Sequence, residues 1–276
     1  MQDTGLKRND IDKFYTIDKI AQLCVEQFKH IIKPKMTDVI IEPSAGSGVF
    51  VKHLKKISKH VKAYDISPEN DSIIQQNYLT LNITKRNNSK IHVVGNPPFG
   101  KQSYLAKLFI KKTCKFADTI AFILPKSFKK NSMKKVFDPF FHLIHQKDIA
   151  DCSFTINDNL IDIPTTFQIW VKRSYKRQAV KELFPNKFEF VKRKDAHFSM
   201  RRIGVNAGDV NKDFSNRNEE SHYFIRTCKN TKKSINELYD IFKQLEFKHE
   251  NTVGPKSISK QEILQKLPKE YVSKRK

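Results

Sequence analysis

The sequence predicts an α/β fold in which a mostly parallel sheet carries helices on both faces. Short apolar runs of strand length alternate with amphipathic segments of helix length between about residues 17 and 172. Two glycines lie in the segment EPSAGSG (residues 42–48, the glycine loop), which connects the first predicted strand to a helix. Such a loop after a strand is typical of sheets that bind a nucleotide at their carboxyl edge.

Local signals place the individual elements of this first domain. Thr16 is a residue type that caps helices, and apolar residues recur behind it at helical spacing until Pro34 ends the helix. Runs rich in valine and isoleucine predict the strands, which polar residues or proline close. The predicted helices span 17–32, 50–58 and 104–114, and the predicted strands span 39–41, 61–64, 91–94, 119–124 and 166–172, the last of them suited to a sheet edge.

The composition changes after about residue 174. Residues 171–276 contain twice as many basic as acidic residues, and their patterns mix strands with helices. We therefore predict a first domain at 1–174 and a basic α+β extension at 175–276, which could pack on the first domain and contact substrate. Within the extension the sequence predicts strands at 188–192 and 223–227, a mobile loop at 204–221, a helix at 234–247 and a last helix begun by a capping box at 259–262.

The chain is strongly basic. It has 52 lysines and arginines against 29 acidic residues, a formal net charge of +23. This excess favours a nucleic-acid partner, although a lysine-rich solvated surface produces the same balance.

The sequence predicts an intracellular protein in a reducing compartment, the cytoplasm or the nucleus, with no membrane association. Its four cysteines are scattered, it has no apolar signal segment, and no apolar run is long enough for a membrane span. The cysteines lack the spacing of a zinc site, and no protein partner is indicated.

An acidic residue follows the glycine loop at the spacing of nucleotide-binding sheets. Asp65 closes the second predicted strand, 23 residues after Glu42, and such sheets have an acidic residue about 20 residues after the glycines. One carboxylate can accept hydrogen bonds from both hydroxyls of a ribose, so this pattern suits any adenosine cofactor. The G-x-G-x-x-G spacing of dehydrogenases is absent, and no lysine follows Gly48, which excludes a P-loop. An ordinary tight turn is the alternative interpretation of the loop.

A second motif, Asn96-Pro97-Pro98-Phe99 (the NPPF motif), follows the strand predicted at 91–94. Ligands bind at this end of the strands in parallel sheets. Asn96 offers a side-chain carbonyl and Pro97 a backbone carbonyl to the hydrogens of a conjugated amine, whose delocalised lone pair makes it a weak nucleophile. The prolines fix these acceptors, and the ring of Phe99 can stack on a base. A proline turn beside a core aromatic ring is the simpler alternative.

The glycine loop followed by the NPPF motif resembles the paired signature of S-adenosylmethionine-dependent N6-adenine methyltransferases. Phe14-Tyr15-Thr16 resembles the additional cofactor motif that precedes the first helix in one class of them. The resemblance covers about residues 13–172 and implies a Rossmann-like class I methyltransferase fold, S-adenosyl-L-methionine as the cofactor and no metal. The NPPF motif is similar to that of enzymes that methylate a protein glutamine, which more often have tyrosine at the last position.

The resemblance also implies roles for individual residues. Asp65 would bind the ribose, Ile66 would flank the adenine of the cofactor, and Asn77 stands where members usually have an aspartate that accepts from that adenine. The methionine half of the cofactor would be lined by Thr16, Glu42, Ala45, Gly46 and Gly48. The implied catalytic residues are Asn96, Pro97, Pro98 and Phe99, and the implied cofactor-binding residues are Tyr15, Thr16, Glu42, Ala45, Gly46, Gly48, Asp65, Ile66, Asn77 and Tyr78.

These observations predict methyl transfer to adenine N6 in RNA or DNA, with three alternatives. A protein-glutamine N5 methyltransferase would share the motif, but the basic charge disfavours it. A catalytically silent nucleic-acid-binding subunit would fit the missing acidic group at Asn77. An NAD-dependent dehydrogenase would need another glycine spacing. Candidate phosphate contacts, or simply solvated charge, are the lysines at 126–130 and the basic runs at 192–194, 201–202 and 274–276.

Overall fold

The computed structural model describes residues 14–84, 89–149, 153–156, 159–247 and 256–274. The chain divides into two compact units, the first ending at Gln178 and the second beginning at Ala179. Within the described residues, no helix is both long enough and apolar enough to cross a membrane. Cys24, Cys114 and Cys228 are free thiols, and Cys152 lies outside the described residues.

The first unit is built on a large sheet flanked by helices. Its described helices are α1 (Asp18–Ile32), α2 (Val49–Leu54), α3 (Tyr104–Cys114) and α4 (Asn131–Lys134), with 3-10 turns at Lys101–Ser103 and Lys126–Lys129. Its described strands are β1 (Tyr15–Thr16), β2 (Val39–Glu42), β3 (His60–Asp65), β4 (Ile74–Gln75), β5 (Ile91–Gly95), β6 (Thr119–Pro125), β7 (Phe141–Asp148), β8 (Phe154–Ile156), β9 (Asn159–Ile161) and β10 (Thr165–Lys172).

Seven of the described strands form one sheet in the order β4-β3-β2-β5-β6-β10-β7. The strands β2 to β6 pair in parallel, whereas β10 runs antiparallel to both of its neighbours. This arrangement confirms the predicted mostly parallel sheet. The chain builds outward from β2 to β4, then returns to place β5 on the other side of β2, so the switch point of the sheet lies between β2 and β5.

The sheet separates two apolar cores because successive residues of a strand point to opposite faces. Ile40 and Val94 pack on one face with α1 and α2, and Ile41 and Val93 pack on the other face with α3. Helices therefore cover both faces, as predicted. Full burial of Phe28 in α1 contributes roughly 1.5–3 kcal/mol. The buried residues of α1 are Ile20, Ala21, Cys24, Val25 and Phe28.

The strand predicted at 166–172 is not at the sheet edge. It forms β10, which pairs with β6 on one side and with β7 on the other. Every residue from Thr165 to Trp170 is buried, as expected for a strand covered on both faces. The edge belongs to β7, whose mixed polar and apolar residues tolerate solvent and gave no clear strand pattern.

Two helix boundaries also differ from the prediction. Thr16 does not cap α1, because Ile17 takes the N-cap position and Thr16 lies in β1, paired with Phe154 of β8. The helix predicted at 50–58 ends earlier, at Leu54. Residues 55–58 form tight turns instead, in which the Ile57 amide donates to the Leu54 carbonyl at 3.0 Å.

The second unit has a sheet and a core of its own. Its described strands are β11 (Leu183–Pro185), β12 (Phe188–Val191), β13 (Phe198–Arg201), β14 (Val210–Asn211), β15 (His222–Thr227) and β16 (Val272–Lys274). Its described helices are α5 (Lys232–Lys243) and α6 (Lys260–Lys266), with 3-10 turns at Arg193–Asp195 and Lys269–Tyr271. Four of these strands form an antiparallel sheet in the order β12-β15-β13-β14, and β12 and β15 confirm the predicted strands.

The predicted capping box begins α6. The hydroxyl of Ser259 accepts from the Glu262 amide at 3.2 Å, and the Glu262 carboxylate accepts from the Ser259 amide at 2.8 Å. The helix predicted at 234–247 instead spans the bounds of α5, because Thr231 caps it earlier. The loop predicted at 204–221 includes β14 and the buried Ala207, so part of it is packed.

Candidate active site

A cavity of about 270 Å³ lies at the carboxyl ends of β2, β3 and β5. The glycine loop leaves β2, Asp65 ends β3, and the NPPF motif leaves β5, so the strand order brings all three to the switch point. Thr16 of β1 and residues 76–79 add to the lining. The two sequence motifs therefore meet at one site.

The glycine loop folds against the end of β3. Gly46 has a φ of 52° and Gly48 a φ of 85°, which are left-handed values that favour glycine. A Cβ on Gly46 would lie 3.2 Å from the ring of Tyr15, so β1 packs directly on the loop backbone. The Gly46 amide donates to Oδ2 of Asp65 at 2.8 Å and joins the loop to β3.

Both carboxylate oxygens of Asp65 are oriented by backbone amides. Oδ2 accepts from Gly46, and Oδ1 accepts from the Ser67 amide at 2.9 Å. A carboxylate has about four acceptor sites, so this half-buried group can still accept from a ligand. Two hydroxyls on adjacent carbons would be a suitable donor pair.

Glu42 is a buried carboxyl group with an incomplete set of partners. Its side chain is 1% exposed, and Oε2 has no hydrogen-bond partner among the described residues. Burial raises the pKa of Glu42 well above its ordinary value, and the nearby charge of Asp65 raises this pKa further. A buried polar atom without a partner costs folding free energy, and in a cavity it is typical of a group that a ligand completes.

The side-chain amide of Asn96 is fixed through its nitrogen. Nδ2 donates to Oγ1 of Thr16 at 3.1 Å, and the backbone carbonyl of Asn96 accepts from the Ser44 hydroxyl at 3.0 Å. The amide oxygen, Oδ1, is buried and has no partner among the described residues, although Asn96 lines the cavity. The site therefore holds one preset acceptor that the chain itself does not use.

Phe99 lies mainly in the core. Its side chain is 8% exposed and belongs to the apolar cluster of α1 and α2, yet it also lines the cavity. Its ring centroid lies 6.3 Å from that of Phe14, which lines the cavity too, with 32° between the ring planes. The two rings give the cavity an apolar aromatic wall, which suits a flat heterocycle.

Three predicted residues that follow β3 meet the cavity in different ways. Ile66 lines it with a side chain that is 55% exposed. Asn77 lines it as well, with Oδ1 accepting from the Leu79 amide at 3.0 Å. Tyr78 lines the cavity too, although its side chain is buried in the core and its hydroxyl is 2.7 Å from Oγ1 of Thr113.

Gly48 was predicted to bind the cofactor, but it does not line the cavity in the described part of the chain. It is the N-cap of α2, and its amide donates to the Ala45 carbonyl at 2.7 Å. A Cβ at this position would lie 3.2 Å from Nδ2 of Asn70. Gly48 therefore shapes the exit of the loop into α2.

The structure brings the remaining predicted residues together. They are Tyr15, Thr16, Glu42, Ala45, Gly46, Asp65, Ile66, Asn77, Tyr78, Asn96, Pro97, Pro98 and Phe99. The motifs did not single out several others that line the cavity, namely Val49, Phe50, Ser67, Gln76, Leu79, Leu105 and Phe109. Leu105 and Phe109 could have been found, because they lie four residues apart on the helix directly behind the NPPF motif.

Two of the lysines predicted to contact phosphate are held by an acidic residue. Nζ of Lys129 lies 3.0 Å from Oδ2 of Asp148, and Nζ of Lys126 lies 3.9 Å from the same oxygen. Phe128 between them is buried. These contacts favour a structural role for this pair. In the terminal basic run, residues 275–276 lie outside the described residues.

No protein-family model matches the chain, and no curated protein matches it significantly. Several solved structures are similar to part of this chain. A protein of Pyrococcus horikoshii, provisionally described as an RNA methyltransferase, has 16% identity and a TM-score of 0.46 over 61% of this chain and 91% of its own. A provisionally described class I S-adenosylmethionine-dependent methyltransferase of Listeria monocytogenes has 15% identity and a TM-score of 0.47 over 64% and 66%. The 23S rRNA methyltransferase ErmE has 13% identity and a TM-score of 0.42 over 59% and 71%.

All three TM-scores are below 0.5, so the fold assignment rests on the strand order of this chain. A parallel sheet with its switch point between β2 and β5 is typical of Rossmann-like folds. The strand β10 runs antiparallel between β6 and the edge strand β7, a position that the sequence did not predict. The first unit therefore has a Rossmann-like α/β fold.

Proposed function

We propose that this chain is an S-adenosylmethionine-dependent methyltransferase that acts on adenine N6 in nucleic acid. One observation carries the proposal. The buried Oδ1 of Asn96 has no partner among the described residues, while Thr16 fixes the amide that bears it. Such an acceptor in a nucleotide-type cavity fits a substrate that donates N–H groups.

The cavity also fits the cofactor. Asp65 supplies a carboxylate, oriented by backbone amides, for ribose hydroxyls. Glu42 supplies a buried, unpaired oxygen for the amino group of the methionine half, and a cation there would oppose the rise in its pKa. Gly46 lets the loop backbone lie close to Tyr15. When bound, the cofactor would supply an electrophilic methyl group.

The residues of the chain would position the acceptor amine. Oδ1 of Asn96 and the carbonyl of Pro97 accept hydrogen bonds from its two N–H groups, which favours a lone pair localised on nitrogen. Because Thr16 and Ser44 already hold Asn96, little reorganisation is needed when substrate enters. Phe99 contributes to the aromatic wall on which the base would lie.

Net charge supports nucleic acid as the substrate. A formal charge of +23 favours contact with a phosphate backbone, because each neutralised phosphate releases condensed counterions. A protein glutamine would offer the same kind of NH2 group without this electrostatic contribution. The acceptor chemistry therefore supports a planar NH2 group as the methyl acceptor, and the charge favours nucleic acid over protein as its carrier.

The decisive experiment is transfer of labelled methyl groups to matched RNA, DNA and protein pools, followed by nucleoside and amino-acid analysis. We expect the label in N6-methyladenine of at least one polymer. Label in a protein glutamine, or at another nucleoside position, would contradict the proposal.

Asn96→Ala tests the observation on which the proposal rests. Removal of a preset hydrogen-bonding group at the reacting centre should lower kcat by roughly a hundredfold or more. Because Asn96 is assigned to the acceptor, the calorimetric Kd for S-adenosylmethionine should change by less than about threefold, about 0.6 kcal/mol. Near-normal turnover by this variant would disprove the acceptor role.

A further inference from the structure

A second cavity, of about 810 Å³, lies within the second unit. It is lined by the end of β13, the start of β15, the loop between them and the end of α5. Its charged lining residues are Arg201, Asp209, Arg217, Lys243, Glu246 and Lys256. The volume is in the range of pockets that hold a ligand of nucleotide size.

Four of the residues that line this cavity are cations, and no acidic group in the described part of the chain lies within ion-pair distance of them. Arg201 and Arg217 are half-buried, yet neither they nor Lys243 and Lys256 form an ion pair with any residue that the structure describes. Elsewhere in the unit, Arg226 lies 2.7 Å from Glu189. A half-buried guanidinium group without an ion pair has lost part of its hydration without gaining a counter-charge, which favours an anionic ligand.

Local contacts hold the guanidinium group of Arg201 in place. Nε donates to the Ile203 carbonyl at 3.1 Å, and the terminal nitrogens have no hydrogen-bond partner in the described part of the chain. The loop behind it is closed at both ends. The Gly208 amide donates to the Arg201 carbonyl, and the Arg201 amide donates to the Asp209 carbonyl, each at 2.8 Å. A constrained turn therefore holds Arg201 while its terminal guanidinium nitrogens remain able to donate to a ligand.

Both arginines act on the same histidine. Burial lowers the pKa of His222, and the positive charges of Arg217 and Arg201 lower it further, against a bond to the Asn218 carbonyl that raises it. His222, Arg201 and Arg217 all line this cavity. The cavity therefore concentrates positive charge from residues that lie far apart in the sequence.

We propose that this cavity binds neighbouring backbone phosphates of a nucleic-acid strand. Guanidinium groups match the oxygens of a phosphate with paired N–H donors, and lysines at the margin add charge without fixed geometry. Contacts of this kind position a strand without reading its sequence. The proposal rests on the nucleic-acid substrate proposed above and adds a specific binding site in the second unit.

The test uses the full chain and the double substitution Arg217→Gln with Lys243→Gln (the cavity variant). Arg201 is kept because its Nε bond supports the loop. Affinity for a fluorescein-labelled single-stranded RNA, and for DNA of the same sequence, is measured across a salt series. Loss of two phosphate contacts should make the log–log salt slope shallower by about 1.4 and lower affinity at least roughly tenfold at low salt.

A matched control removes two positive charges from the same unit. Lys187→Gln with Arg226→Gln takes away cations that already pair with Glu270 and Glu189. We expect this control to change the slope much less than the cavity variant. Equal slopes for the two variants would overturn the proposal, since only total charge would then matter. Thermal unfolding of both variants shows whether either has lost its fold. If the cavity variant is unfolded, the single substitution Lys243→Gln is used in its place.

Two further measurements separate this inference from the proposed function. If the native chain methylates nucleic acid but the cavity variant binds a strand as tightly as the native chain, the proposed phosphate site is refuted and the proposed function stands. If the cavity variant binds a strand more weakly but the native chain methylates no nucleic acid, the proposed phosphate site is supported and the proposed function is refuted. Titration with adenosine monophosphate tests a free-nucleotide site, and binding of it that depends on Arg217, without strand binding, would overturn the proposal.

Discussion

The free oxygen of Asn96 depends on residues that are distant in the sequence. Thr16 precedes α1 and Asn96 follows β5, yet Nδ2 and Oγ1 lie 3.1 Å apart. The motifs identify both residues, but they predict only helix capping and cofactor contact for Thr16. The bond forms because β2 pairs with β5 and β1 pairs with β8, and no local pattern encodes these pairings. Candidate site residues were thus predictable, whereas their mutual contacts were not.

Thr16→Val tests whether Thr16 positions the Asn96 amide. Valine keeps the shape but removes the acceptor for Nδ2, so the amide loses the contact that leaves Oδ1 free. We expect kcat to fall roughly tenfold, equivalent to about 1.4 kcal/mol. Thr16→Ser should restore most of the rate, because it keeps the hydroxyl. A serine variant as slow as the valine variant would show that the methyl group, and not the hydroxyl, is what matters.

Glu42 should make the unliganded chain less stable as pH rises. Its raised pKa means that the folded state keeps a proton that the unfolded state releases, so stability is fully present below the ordinary glutamate pKa and falls above it. Glu42→Gln removes this titration. We expect the variant to match the native chain near about pH 4 and to be more stable by pH 8.

Urea unfolding between these pH values, without cofactor, measures the difference. Trp170 is the single tryptophan and is buried in the first unit, so its fluorescence reports the unit that contains Glu42. A gap between native and variant midpoints that does not change with pH would contradict the assignment. The same substitution should weaken cofactor binding, because it removes the proposed partner of the amino group.

At the scale of elements, the sequence predicted features that depend on a few consecutive residues. It did not predict features that depend on a neighbouring strand. The helix α3 has the predicted bounds, and the capping box begins α6 as predicted. The position of β10 depends on β7 lying beside it. Because β7 carries a mixture of polar and apolar residues, period-two alternation did not mark it as a strand.

The capping box of α6 predicts the effect of one substitution. Ser259→Ala removes the acceptor for the Glu262 amide and should destabilise the start of the helix by about 1 kcal/mol. Hydrogen exchange at the amides of α6 should then be about fivefold faster where local opening limits it. Ser215→Ala is the control, because its exposed hydroxyl reaches Asp213 only at 3.4 Å. Equal exchange in the two variants would show that the cap contributes nothing.

At the scale of the whole molecule, both units are rich in basic residues, but the sequence motifs lie only in the first unit. The first unit carries both motifs, so its fold and its candidate site were predictable from short segments of sequence. The second unit has no such motif. Its cavity gathers residues from β13, β15 and α5, which only the folded chain brings together. Composition predicted that the extension is basic but not which of its cations line this cavity.

Salt should therefore separate the two kinds of binding that the proposed function requires. Strand binding releases counterions at each phosphate contact, so three or more contacts would give kcat/KM for a single strand a log–log salt slope steeper than about −2. The cofactor meets a few groups in a cavity of about 270 Å³, and its calorimetric Kd should depend on salt much less. Parallel salt dependence of both quantities would indicate a general effect on the fold. Divergence would show that the charge of the chain acts on the polymer.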